Sequence, residues 1–152
     1  MSGKFQYSQY ERLGSHSDSD APSTVSIRSE PTGQKLTDLS WAGGLLDGEG
    51  CFRASNTPTI SVESTSKHTV ERLHELFGGT CSAAKRRTAS GRQVFRWRIY
   101  GRKAVAVCAA TASYMVEKQK QAELLMLFYR YPKRTAMRRS ISRRLSQLKR
   151  TV

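Results

Sequence analysis

The stretch that decides the fold of this 152-residue chain is Trp41-Ala42-Gly43-Gly44-Leu45-Leu46-Asp47-Gly48-Glu49-Gly50. Its first part combines apolar and small residues, which predicts a helix that a second helix could approach closely. The glycines at 48 and 50 are typical of a helix end. Cys51 and Phe52 then open a strand, so the stretch predicts a helix followed at once by a strand.

The acids at this helix end predict a nearby cation. Asp47 and Glu49 lie two residues apart and therefore do not share a helix face. A carboxylate at a helix C-terminus is unfavourable beside the negative end of the dipole, unless a cation such as Mg²⁺ (or Mn²⁺) is bound there. One carboxylate makes a poor metal site, whereas two such helices side by side would supply two. The simpler interpretation is a turn that joins helix to strand.

Apolar periodicity and glycine positions predict the other elements. Thr37 or Asp38 is expected to cap the first helix, and Ser66 the second, which Gly78 ends. The expected strands are residues 51–54, 59–64, 80–87 and 93–100, and the later helices run from 102 to about 116 and from about 117 to 129.

Three segments follow from composition. Residues 1–36 are rich in Ser, Gly, Asp and Pro and predict a disordered tail. Residues 37–131 are expected to form the folded domain. Residues 132–152 carry eight basic residues, and apolar residues recur there at 137, 141, 145 and 148, so this segment predicts a basic amphipathic helix.

The net charge of +14 and the pI of about 10.3 favour a polyanionic partner. Cys51, Cys81 and Cys108 lack CxxC spacing, which argues against a zinc site and for a reducing compartment. No run of about 18 apolar residues occurs and the N-terminus does not resemble a signal peptide, so no membrane-spanning segment is expected. A polybasic contact with a membrane surface is a weaker alternative to nucleic acid. We expect a soluble intracellular protein, in a bacterial or phage-infected cytoplasm or nucleoid, or in an organelle matrix.

The strands predict a sheet with one buried and one open face. Phe95, Trp97 and Ile99 alternate with Arg96 and Arg98. Basic and small polar side chains on the open face can reach phosphates and base edges in a DNA groove. The residues predicted to bind DNA are Arg53, Ser61, Lys85, Arg86, Arg87, Arg92, Gln93, Arg96 and Arg98, with Lys120 on the last helix of the domain.

Residues 41–52 match the pattern W-x-x-G-x-x-x-G-E-G-C-F, and Lys118-Gln119-Lys120-Gln121-Ala122 begins a later predicted helix. Both motifs resemble those of the LAGLIDADG homing endonucleases, in particular the members that carry one LAGLIDADG motif per chain. The resemblance covers residues 39–129. It implies an α+β fold of order αββαββα, in which helices cover one face of a saddle-shaped antiparallel sheet.

The same resemblance implies roles for individual residues. Glu49 corresponds to the metal-binding acid, Gly48 offers its carbonyl to the metal, and Lys118 lies near the scissile phosphate. Asp47 corresponds to an acid that is more often structural than metal-bound. Single-motif chains form homodimers through the motif helix, here through Trp41, Ala42, Gly43, Gly44 and Leu45.

The function expected from these observations is site-specific cleavage of double-stranded DNA. The reaction would be metal-dependent hydrolysis of phosphodiester bonds by a homodimer. The main alternative is a non-catalytic DNA- or RNA-binding module on the same fold, such as a regulator or a splicing maturase. A third possibility is a basic packaging protein in which residues 132–152 bind the nucleic acid.

Overall fold

A computed structural model of the protein describes residues 33–151. The expected disordered tail lies outside these residues except for its last four positions, which belong to the first helix. No helix in residues 33–151 has both the length and the apolar character that crossing a bilayer requires. The elements are α1 (Gly33–Glu49), β1 (Gly50–Ala54), β2 (Pro58–Ser64), α2 (Lys67–Phe77), β3 (Thr80–Arg87), β4 (Gln93–Tyr100), α3 (Gly101–Thr111), α4 (Gln119–Arg130) and α5 (Ala136–Leu148).

The four strands form one antiparallel sheet in the order β1-β2-β4-β3. The register places Phe52 opposite Ile60, and Ile60 opposite Ile99. The predicted α+β class and the αββαββα order are therefore confirmed, with α4 and α5 following. The predicted limits of β3 and β4 agree with the observed strands.

The helices cover one face of the sheet, where large apolar side chains from the strands are buried. Phe52, Ile60 and Trp97 are fully buried there, and burial of each such side chain contributes about 1.5–3 kcal/mol. The indole Nε1 of Trp97 donates to the Gly78 carbonyl at 2.8 Å. Gly79 has φ +84°, and a Cβ there would lie 2.5 Å from the Arg98 carbonyl oxygen, so this close approach requires glycine.

Two predicted helix boundaries are wrong. Thr37 and Asp38 do not cap α1, because the helix already includes Gly33, and Asp38 instead binds Arg72 at 2.7 Å. The helix predicted to reach about residue 116 ends at Thr111, whose hydroxyl donates to the Val107 carbonyl at 2.6 Å. A 3₁₀ turn, Ala112–Tyr114, follows it. Ser66 caps α2 as predicted and accepts from the Thr69 amide.

The basic helix predicted after Pro132 is present as α5 and packs onto the rest of the chain. Ile141 and Leu145 are buried in the main core. The helix lies along β1, an edge strand of the sheet. Arg138 near its start donates to the Asn56 carbonyl, and Lys149 at its end contacts Cys51 on β1.

Candidate functional site

The end of α1 is joined to the start of α4 through the carboxylate of Asp47. Oδ1 accepts from the Lys118 amide at 2.7 Å, while Oδ2 accepts from the amides of Val116 at 3.0 Å and Glu117 at 3.2 Å. Burial acts to raise the pKa of Asp47, but these amides and the Lys118 ammonium together hold it below its ordinary value. Asp47 is thus an ionised carboxylate that fixes the segment before α4.

The side chain of Lys118 returns to the end of α1. Its Nζ donates to the Gly48 carbonyl at 2.6 Å and to the Gly50 carbonyl at 3.0 Å. These carbonyls lie at the negative end of the α1 dipole, where a cation is favourable. Within one chain, the Lys118 ammonium therefore places a positive charge at this helix end. The structure brings Asp47, Gly48 and Lys118 together from positions about 70 residues apart.

Glu49 is exposed beside this cluster and forms no hydrogen bond or ion pair with residues 33–151. It is therefore an available oxygen ligand for a hard cation. Both oxygens of Asp47, in contrast, already accept from backbone amides. The metal contact of Asp47 stays a prediction, and its hydrogen bonds agree with the structural role that the resemblance implies. The described residues contain no group of three or more His, Cys, Asp or Glu that could hold a metal ion.

The outward side of α1 combines apolar and small residues. Trp41 is 38% exposed and Leu45 is half-buried. Gly44 and Gly48 follow at helical spacing, and a Cβ at either position would have no atom within 4 Å. These four residues, which we call the α1 stripe, leave space for another helix to approach closely.

Two residues predicted for a dimer interface face the opposite way. Ala42 is fully buried in the core of its own chain. A Cβ on Gly43 would lie 2.5 Å from the Cβ of Tyr114, so Gly43 packs against the 3₁₀ turn of the same chain. Their small size serves packing within the chain, and the predicted interface is reduced to Trp41, Gly44 and Leu45.

The open face of the sheet carries several of the predicted DNA-binding residues on adjacent strands. Ser61 on β2 lies opposite Arg98 on β4, and Arg53 on β1 lies opposite Thr59 on β2. Arg53 is exposed and Arg98 is half-buried, with a 3.3 Å hydrogen bond to the Tyr100 hydroxyl. The three predicted residues Arg53, Ser61 and Arg98 therefore share one polar surface.

Two of the predicted DNA-binding side chains on this sheet already bind other groups of the same chain. The guanidinium of Arg96 pairs with Glu63 directly across β2 and β4, with Nε 2.7 Å from the carboxylate. The side-chain amide Nε2 of Gln93 donates to the backbone carbonyls of Ala84 at 2.7 Å and Val94 at 2.9 Å. The charge of Arg96 is balanced within the chain, and Gln93 is used to hold the β3–β4 hairpin.

The remaining predicted residues lie apart from the sheet centre. Lys85, Arg87 and Arg92 are exposed near the β3–β4 turn, where Arg87 donates to the Gly91 carbonyl at 3.2 Å. Lys120 is exposed in the first turn of α4. The side chain of Arg86 lies outside what the structure describes.

Arg138, a buried arginine near the start of α5, was not singled out from the sequence. Arg138 on α5 is only 7% exposed. Its Nε donates to the Phe128 carbonyl at 3.0 Å and its Nη1 to the Asn56 carbonyl at 3.3 Å, while its guanidinium lies 4.3 Å from the centre of the Phe128 ring. The signal was its spacing of three and seven residues from Ile141 and Leu145, which puts it on the buried stripe of the helix.

Known proteins resemble this chain in structure but not in sequence. No protein-family model matches the chain, and no curated protein matches it in sequence. One similar structure is the homing endonuclease I-CvuI with an I-CreI target at 2 mM Mg, its DNA not cleaved; the TM-score is 0.61 at 15% identity, over 74% of this chain and 82% of that one. I-CvuI with its own target at 2 mM Ca gives a TM-score of 0.52 at 16% identity, over 75% and 98% of the two chains. The chain shares the fold of a homing endonuclease.

Proposed function

We propose that this chain is a LAGLIDADG-type endonuclease, which cuts double-stranded DNA with a divalent metal as a homodimer. The observation that carries the proposal is the arrangement at the end of α1. An exposed, unengaged Glu49 stands beside a lysine ammonium bound to the Gly48 carbonyl. A sheet face with Arg53 and Arg98 adjoins it, because β1 begins directly after Glu49.

The proposed homodimer is supported by the exposed Glu49 carboxylate and by the α1 stripe. One chain supplies one available carboxylate at this end, and two Glu49 side chains would form a better site for Mg²⁺ or Mn²⁺. Pairing of two stripes would bring two α1 ends together, since Gly44 and Gly48 leave room for close contact. A two-fold symmetric protein would recognise a nearly palindromic DNA site.

The residues have separate roles in this proposal. Glu49 and the Gly48 carbonyl would hold the metal, which when bound would activate water and stabilise charge on the phosphate. The flexible Lys118 side chain would exchange the Gly48 carbonyl for a phosphate oxygen and so also release that carbonyl. Asp47 would keep the Lys118 backbone in place throughout, through its 2.7 Å hydrogen bond.

A non-catalytic nucleic-acid-binding protein on the same fold is the second candidate. The observation that favours it is the engaged state of the α1 end, where Lys118 already neutralises the helix dipole without a metal. Such a protein would keep the basic sheet face and the dimer, and it would bind DNA or RNA without cutting.

The decisive experiment is cleavage of a plasmid library by the full chain, with Mg²⁺ or with EDTA. We expect cuts that require Mg²⁺, that disappear in Glu49→Gln, and that persist in Glu123→Gln. Both substitutions remove one exposed carboxylate, but Glu123 lies on α4. DNA binding by Glu49→Gln should remain.

Two results would contradict the proposal. Tight, saturable binding of one library sequence without cleavage in Mg²⁺ or Mn²⁺ would favour the non-catalytic candidate. Cleavage by a species that sediments as a monomer on DNA would contradict the two-chain metal site.

A further inference from the structure

A second basic feature lies away from the end of α1. A cavity of about 690 Å³ opens between the β1–β2 turn, residues 55–57, and the start of α5. Four further basic side chains line it beside Arg138, namely Lys133, Arg134, Arg139 and Arg143. No Asp or Glu of residues 33–151 is among its lining residues.

The buried Arg138 gives this cavity its specific character. It lines the cavity although more than nine-tenths of its surface is buried. Nε and Nη1 donate to backbone carbonyls, whereas Nη2 has no hydrogen-bond partner in the described part of the chain. Its charge faces no carboxylate there either. The two carbonyls and the Phe128 ring at 4.3 Å stabilise the guanidinium in part. A buried charge without a counter-ion is still costly, so this arrangement indicates an anionic ligand.

The start of α5 adds to the same preference. Thr135 caps the helix, and its hydroxyl oxygen accepts from the Arg138 amide at 3.3 Å. The first turn of a helix carries the positive end of the helix dipole, which favours phosphate groups nearby. Ser142 supplies a hydroxyl to the lining, whereas the hydroxyl of Thr135 already donates to the Pro132 carbonyl at 3.0 Å. A planar guanidinium beside a hydroxyl and further cationic side chains is a donor set that suits phosphate oxygens.

We propose that this cavity is a phosphate-binding site, distinct from the α1 end, which holds a backbone phosphate of the bound nucleic acid. The backbone source rests on the proposed function, whereas the preference for phosphate rests on the cavity alone. β1 separates the two sites by its five residues, roughly 16 Å at 3.3 Å per residue. The cavity would therefore contact the nucleic acid outside the positions that are cut.

The test uses full-length protein in EDTA, so cleavage is not required. Arg139→Gln/Arg143→Gln removes two exposed lining charges and leaves Arg138 in place. Arg144→Gln/Arg150→Gln removes two exposed charges from the same region outside the lining and is the matched control. Binding of pyrophosphate is measured by calorimetry, and binding of a random-sequence 30-bp duplex by fluorescence anisotropy over a salt series.

We expect the lining variant to bind pyrophosphate at least about ten-fold more weakly, and the control to change by less than about two-fold, since only the lining charges contact the anion directly. For the duplex, the slope of log K against log salt should fall by about 0.9 for each lost phosphate contact in the lining variant alone.

Equal losses in the two variants would overturn the site, because they would reflect net charge only. Absence of pyrophosphate binding, with an unchanged duplex slope, would overturn it too. If the lining variant loses pyrophosphate binding but keeps the duplex slope, the ligand is a free phosphorylated compound and the backbone assignment is wrong. A protein that cuts nothing but gives the expected pattern would refute the endonuclease and leave this site intact.

Discussion

The ammonium of Lys118 lies 2.6 Å from the carbonyl oxygen of Gly48, although 69 residues separate them in the chain. The contact joins the end of α1 to the start of α4 and places a positive charge on the negative pole of α1. Asp47 at the end of α1 links the same two segments by accepting hydrogen bonds from the three backbone amides of residues 116–118. The candidate catalytic end of α1 is therefore held in place by hydrogen bonds that each join it to residues 116–118.

Lys118→Met should lower DNA cleavage by at least about 100-fold, the usual effect of removing a group that stabilises transition-state charge. It should also lower the free energy of unfolding by about 1–2 kcal/mol, because two charged hydrogen bonds to carbonyls are lost. Lys120→Met is the matched control, since Lys120 is exposed two residues further along. Single-turnover cleavage and urea denaturation measure the two effects; equal losses in both variants would contradict the role of Lys118.

Asp47→Asn should destabilise the chain at neutral pH by about 1–3 kcal/mol through weakened hydrogen bonds to a charged acceptor. The pKa of Asp47 is lowered from 3.8, so the stability it contributes is complete above the unfolded-state pKa. That contribution is lost as the pH falls through the lower folded-state pKa. The difference between wild type and Asp47→Asn in urea denaturation should thus shrink below about pH 4. Glu123→Gln should show no such convergence, and a pH-independent difference for Asp47→Asn would disprove the electrostatic explanation.

Neighbouring glycines on α1 should respond oppositely to substitution. Gly44→Gln should leave the fold intact and stabilise the helix by about 0.5–1 kcal/mol, but it should abolish self-association by filling the α1 stripe. Gly43→Ala should cost about 1–3 kcal/mol of stability, because its Cβ would meet Tyr114 at 2.5 Å. Sedimentation and thermal unfolding separate the two effects. A Gly44→Gln protein that remains a dimer would show that another surface forms the interface.

The two arginines of β4 should differ in DNA affinity. Arg98→Gln should weaken DNA binding, whereas Arg96→Gln should have a smaller effect, because Glu63 already balances the charge of Arg96. Glu63→Gln should conversely strengthen binding and steepen the salt dependence by up to about 0.9, the slope for one added phosphate contact. Anisotropy titrations over a salt series provide the comparison, and weaker binding by Glu63→Gln would indicate that the ion pair shapes the sheet face.

Local sequence signals predicted much of the fold. The limits of β3 and β4 were correct because alternating side chains are bounded there by Gly78-Gly79 and Gly101. The start of α1 was wrong, since a capping residue is recognised by type while Asp38 is engaged by Arg72, 34 residues away. Long-range partners of this kind cannot be inferred from helical periodicity.

The candidate site was predicted only in part, again because local sequence patterns do not specify long-range partners. Gly48, Glu49 and Lys118 were singled out from motifs, and the structure places them at one helix end. Small residues suit an inward and an outward helix face equally, so Gly43 and Gly44 could not be distinguished. The Glu63–Arg96 pair depends on strand register, which composition does not specify.

The position of α5 along β1 has a consequence for the integrity of the whole protein. An unprotected edge strand offers unpaired backbone groups to other chains and promotes aggregation. At this edge α5 contacts β1 and is held by Ile141 and Leu145, and by contacts to Asn56 and Cys51. A chain shortened at Pro132 would lose these contacts and the buried side chains of Ile141 and Leu145, so we expect it to self-associate more readily than the full chain.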